Sequence, residues 1–132
     1  MNRFELGQKL KKLRGTKMLS NSVISANVID SIENGKASYS VKKLLLYCGI
    51  AGISPAIYIT LLDETRPIIT VLDFHKAIAR MLDIYNETPH SLYNKISINY
   101  TVPNAKASPL SIDTLLAICD YCDSEFQLTK NN

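Results

Sequence analysis

The sequence predicts an all-α protein. Three observations lead there: apolar residues recur at helical spacing along almost the whole chain, Ser, Thr, Gly and Pro stand where helix caps and stops belong, and alternation of period two is nowhere sustained. The chain has 132 residues, of which 46% are apolar and 20% charged. That size suits one compact domain, or two very small units sharing a core, and the composition is too apolar for disorder.

The elements follow in order. Phe4, Leu6, Leu10 and Leu13 form one apolar stripe, with Gln8, Lys9, Lys11 and Lys12 on the opposite face of a first helix. Arg14-Gly15-Thr16 breaks it, and Thr16 is placed to cap a short second helix carrying Leu19 and Val23. Ser25 caps a third, in which Val28, Ile29 and Ile32 recur at helical spacing and Asn34-Gly35 supplies the stop. Val41, Leu44, Leu45 and Cys48 make a fourth. A fifth is expected from Ala56 to Leu62, with Ser54 as its cap and Pro55 at its first position. After Thr65-Arg66-Pro67 a longer pattern runs through Ile69, Leu72, Ile78, Met81, Leu82 and Tyr85, and Pro89 opens a short helix with Leu92 and Ile96. Residues 99–109 read as a loop, followed by a helix from near Ser111 to the cysteines and a short extended Phe126-Gln127-Leu128 tail.

The stretch from Leu44 to Leu62 carries no charge and imitates a membrane span, but Gly49, Gly52, Ser54 and Pro55 interrupt it. Two short buried helices account for it, and no membrane partner is expected. Cys48, Cys119 and Cys122 are odd in number, and MNRFELGQKL offers no apolar run for a signal peptide, so a reduced, cytoplasmic chain is expected. Cys119 and Cys122 have C-x-x-C spacing, yet no second Cys/His pair accompanies them, which favours core thiols over a metal or redox site.

Charge is unevenly spread. Residues 1–66 hold ten bases against five acids, a balance of +5, and residues 67–132 hold five against seven, a balance of −2. A basic front half suits a phosphate-bearing partner.

The run from Leu19 to Lys36, with its Ile29-x-x-Ile32-Glu33-Asn34-Gly35-Lys36 ending, resembles the helix-turn-helix of lambda-repressor-like (XRE-type) regulators, in particular the variety found in peptide-pheromone regulators of the Rgg kind. Ser40-Val41-x-x-Leu44-Leu45 and Gly52-Ile53-Ser54 resemble the fourth helix and following turn of that fold. The resemblance implies a helix-turn-helix DNA-binding unit over residues 1–65. In the rear, residues 66–132, Thr88 to Ile96 is similar to another form of the recognition helix and Leu110 to Asp120 to the helix after it, implying a second, degenerate copy.

Carried over position by position, the resemblance puts Thr16 and Lys17 at a phosphate, Ser25, Ala26, Asn27, Val28 and Ser31 toward the major groove, and Lys36 on the backbone. Asn27 can bind adenine bidentately and Val28 can touch a thymine methyl. The rear counterpart is His90, Ser91, Asn94 and Lys95 on one helix side, with Asn99, Tyr100 and Lys106 after it. Two features depart from the family pattern: the Arg14-Gly15-Thr16 connection is short, and the recognition helix has no Lys or Arg and carries Asp30 and Glu33.

Catalysis finds no support in the residues. His75 and His90 are the only histidines, in no metal-ligand spacing, and His75 reads as a surface or capping residue. There is no Gly-rich phosphate loop and no G-x-S-x-G, so neither an enzyme nor a cofactor is expected. Two functions remain: a sequence-specific transcriptional regulator bound to double-stranded DNA, or a protein-interaction module such as an antirepressor that reuses the same helices. The broad apolar surface of Leu110 to Cys122, with Phe126 and Leu128, further suggests a homodimer contact.

Overall fold

The computed structural model of the protein describes residues 1–16, 19, 24–101 and 109–131. Its helices are α1 (Arg3–Arg14), α2 (Ala26–Asn34), α3 (Val41–Ala51), α4 (Val71–Ile84), α5 (Pro89–Ile96) and α6 (Ile112–Tyr121). Its strands are β1 (Ile53–Ile59), β2 (Glu64–Pro67) and β3 (Ser124–Lys130), with a 3-10 turn at Thr60–Leu62. The short helix expected after Thr16 falls on residues outside those described.

The fold is mixed α/β, which corrects the all-α expectation: six helices accompany a three-stranded antiparallel sheet of order β2-β1-β3. The expected fifth helix is the reason. Ile53-Ser54-Pro55-Ala56-Ile57-Tyr58-Ile59 is a strand, with Ile53, Pro55, Ile57 and Ile59 buried and the residues between them more exposed, so period two is present after all. Ser54 therefore caps nothing, and its hydroxyl donates to Asn131 Oδ1 at 2.5 Å. Pro55 is tolerated because its position faces Ile68, just past the end of β2, where only its carbonyl is needed; that carbonyl accepts from Ile68 N at 3.0 Å. Residues 1–65 thus hold helices and strands together, not five helices.

The other helices form where their caps stand. Ser25 accepts from Val28 N at 3.3 Å and Gly35, in the left-handed region at φ 59°, closes α2. Ser40 and Ser111 cap α3 and α6, while α1 and α4 open with capping boxes, Asn2 with Glu5 and Thr70 with Asp73.

Beneath the sheet lies one core. Ile57, Ile59, Leu44, Tyr47, Phe74, Ile78, Met81, Leu115 and Ile118 are fully enclosed, and Phe74 stacks on Phe126 with ring centroids 6.1 Å apart. Most of the apolar residues read as a dimer surface are spent here: Leu110, Ile112, Leu115, Leu116, Ile118, Cys119, Cys122 and Phe126 are buried by the chain itself, while Leu128 is half-buried. In α1, by contrast, Phe4 leaves its expected stripe and is 57% exposed.

The order of elements repeats along the chain. Each half runs helix, helix, helix, strand: α1-α2-α3-β1 in front and α4-α5-α6-β3 behind. From α3 onward the two halves match at a constant offset of 71, taking Ser40 to Ser111 and Ile53–Ile59 to Ser124–Lys130. The matched segments also pair with each other. Ser40 bridges Ser111, with Val41 N donating to Leu110 O and Ile112 N to Tyr39 O, both at 2.8 Å. In the sheet, Ile53 pairs with Lys130 and Ile59 with Ser124, so that Ala56 faces its own counterpart Gln127. Reciprocal contacts of this kind are those of an approximate two-fold axis, found here within one chain.

Candidate nucleic-acid interface

The front helix α2 is held from behind and open in front. Gly7 of α1 lets the two helices touch: a Cβ there would lie 2.5 Å from Ile32 O and nearer still to Glu33 O. Two further contacts tie the C-terminal end of α2, whose carbonyls lack helical partners, and a third holds the same arginine against α6. Gln8 Nε2 donates to Glu33 O at 3.2 Å, Arg3 Nε donates to Gly35 O at 3.1 Å, and Arg3 also pairs with Asp113 at 2.6 Å.

Glu33 is the main fastening. In the sequence it stands only as a further negative charge on the recognition helix; it is buried, with Arg14 Nε at 2.5 Å and Arg14 Nη2 at 2.9 Å on its two oxygens, and the Tyr47 hydroxyl donating to one of them. Burial pushes its carboxyl up, but the bonds from Arg14 and Tyr47 outweigh that and hold it below the ordinary carboxylate value. One residue thereby joins α1, α2 and α3.

The opposite side of α2 faces solvent. Ser25, Ala26 and Asn27 are exposed together at its N-terminus, while Val28 and Ser31 are half-buried. Asp30 is exposed and compensated. Lys36 forms an ion pair with it, Asn34 Nδ2 donates to Asp30 Oδ1 at 2.7 Å, and Lys36 first among these causes keeps its carboxyl low. Lys36 is therefore placed beside α2 and engaged to Asp30. Thr16 is exposed in the turn after α1; Lys17 lies outside the described residues.

The rear helix α5 is fastened differently. Ser91 is occupied by capping: Thr88 N donates to its hydroxyl at 2.8 Å and its own N–H bonds Thr88 Oγ1 at 3.1 Å. Lys95 pairs with Glu87 at 2.6 Å, and the Tyr121 hydroxyl donates to the same carboxylate at 3.1 Å. His90 and Asn94 remain exposed, with Asn94 Nδ2 and His90 Nε2 3.2 Å apart. Tyr93, between them in sequence, is 57% exposed and was not singled out by the sequence; an apolar residue at a non-core position of the helical pattern was the available signal. Asn99 is exposed, Lys106 lies outside the described residues, and Tyr100 is buried.

That burial also corrects the reading of His75. It is an interior residue of α4, 3% exposed, with Nδ1 2.6 Å from the Tyr100 hydroxyl. The three thiols are buried and unbridged; burial pushes Cys48 and Cys119 up to about 12 and Cys122 to about 11, so they are poor nucleophiles. Among the described residues, no group of three His, Cys, Asp or Glu is placed to hold a metal ion, and no helix is long and apolar enough to cross a membrane.

One groove lies away from α2 and α5. It has a volume of about 440 Å³ and runs between Lys9, Lys12 and Leu13 of α1 and the Glu125 to Thr129 stretch of β3. Comparison with protein-family models, with curated proteins and with solved structures finds no match to this chain.

Proposed function

We propose that the chain binds double-stranded DNA as a transcriptional regulator, with α2 laid in the major groove. The observation that carries this reading is the presentation of α2: its back is locked by Glu33, Gly7 and Arg3, while Ser25, Ala26 and Asn27 stand clear at its N-terminus. A fixed helix with short polar side chains at its N-terminal end is the element that reads base edges. The neutralisation of Asp30 by Lys36 removes the main electrostatic objection, and exposed Lys11, Lys12, Lys42 and Lys43 on the flanking helices supply phosphate contacts.

The test is a salt series against mixed duplex DNA followed by variants. Affinity falls with rising salt, Asn27→Ala lowers specific affinity by about 1–3 kcal/mol with nonspecific binding little changed, and Lys42→Ala weakens all sequences while flattening the salt slope by about one. A chain that shows no salt-dependent DNA binding ends this reading. The second reading, a protein-interaction module, then leads, favoured by the α1–β3 groove along a sheet edge that pairs with no other strand among the described residues.

A further inference from the structure

We infer that one copy of this chain, without a second, carries both halves of a two-fold DNA reader, and that its site is a pair of unlike half-sites at one fixed spacing. This inference rests on the DNA-binding reading above. Regulators with one reading helix per chain reach useful specificity by dimerising, and the symmetry of the dimer then appears as a palindrome in the DNA.

Here the reciprocal contacts that a dimer makes between two chains are made inside one. Val41 to Leu110 and Ile112 to Tyr39 are the two equivalent bonds of a two-fold contact, and β1 pairs with β3 about a centre at Ala56 and Gln127. Both contacts relate residues by the same offset, so one axis serves both. The helices that precede this paired core occupy the same place in the order of elements, α2 in front and α5 behind.

The apolar residues that a homodimer would have used are consumed in the same core: Leu110, Leu115, Leu116 and Phe126 are buried without a partner chain. The two reading helices are not copies in their side chains. α2 offers Ser25, Ala26 and Asn27, and α5 offers His90, Tyr93 and Asn94. Two different sets of donors and acceptors read two different base sequences.

The experiment selects bound duplexes from a randomised library with the full chain, then measures stoichiometry by sedimentation on the selected DNA. One chain per duplex is expected, with a consensus of two dissimilar blocks at a single spacing. Asn27→Ala should relax one block and Asn94→Ala the other, each weakening binding by about five- to 150-fold. Both positions are exposed, and circular dichroism checks that each variant keeps the fold. Two chains on a palindrome, or both variants relaxing the same block, overturns the inference while leaving DNA binding in place. Absence of any salt-dependent binding overturns both readings together.

Discussion

The two halves share an order of elements and differ in how their helices are fastened. Aligned on their capping boxes, the three positions that α1 buries, Leu6, Gly7 and Leu10, are buried in α4 as well, at Phe74, His75 and Ile78, where Ala77, Met81 and Leu82 join them. At the middle position the front half has no side chain and the rear half has an imidazole. Gly7 brings α1 against the backbone of α2, whereas His75 fills that space and reaches Tyr100 instead. The acids differ in the same sense. Both carboxylates are enclosed, but Glu33 is held beneath α2 by a largely buried arginine, Arg14, while Glu87 sits just before α5 and takes its charge partner, Lys95, from solvent, with Ser91 and Tyr121 beside it. One topology therefore tolerates two fastenings, one whose cation is enclosed with its acid and one whose cation stands in solvent.

The largest expected effect breaks the front fastening. Arg14→Ala leaves Glu33 buried without its main counter-charge and should cost about 3 kcal/mol, read as a lowered urea midpoint. A loss below about 1 kcal/mol would show that the pair is not what holds α2. Gly7→Ala comes next. Its Cβ meets backbone, which cannot rotate away, so about 2 kcal/mol of overpacking is expected, and the damage should appear as faster amide exchange in α2.

Acid sharpens the same comparison. Glu33 and Glu87 both have carboxyl groups held below the ordinary value of 4.5, so their contributions are complete above that pH and disappear as pH falls through their lower native values. Urea midpoints from pH 7 to pH 3 should show an acid-side decline that Glu33→Gln flattens more than Glu87→Gln does. Equal flattening would erase the distinction between the fastenings. The smallest effect belongs to Lys95→Ala, which removes a half-exposed partner that solvent screens and leaves Ser91 and Tyr121 bonded to the Glu87 carboxylate, so the midpoint should fall by less than in any variant above.

Much of this was legible in the residues. α2 was bounded by Ser25 and Gly35, α5 opened at Thr88-Pro89, and α6 began at Ser111, because capping chemistry is local. β1 was not, since Ser54-Pro55 imitates a helix start and the strand depends on partners 71 residues away on average along its register. The repeat, expected only as a degenerate second copy, is faint because just Ser40/Ser111, Leu44/Leu115, Leu45/Leu116 and Cys48/Cys119 are identical along the matched helix and strand. Apolar volume was kept and identity lost. Among the candidate reading residues, Asn27, His90 and Asn94 were placed in the open as their helical positions implied, while Ser91 went to capping and Lys36 to Asp30.

The β1–β3 pairing also orders events during synthesis. β2 follows β1 after a four-residue turn and can pair with it at once, but the other edge of β1 waits for Ser124–Lys130 to be made. Until then Ile57 and Ile59 belong to a two-stranded ribbon whose second edge is open, Ile53 lies beyond its paired part, and the covering helices α4 and α6 are still arriving. Pairing so distant along the chain closes slowly, and an unpaired apolar edge is the template on which nascent chains misassociate.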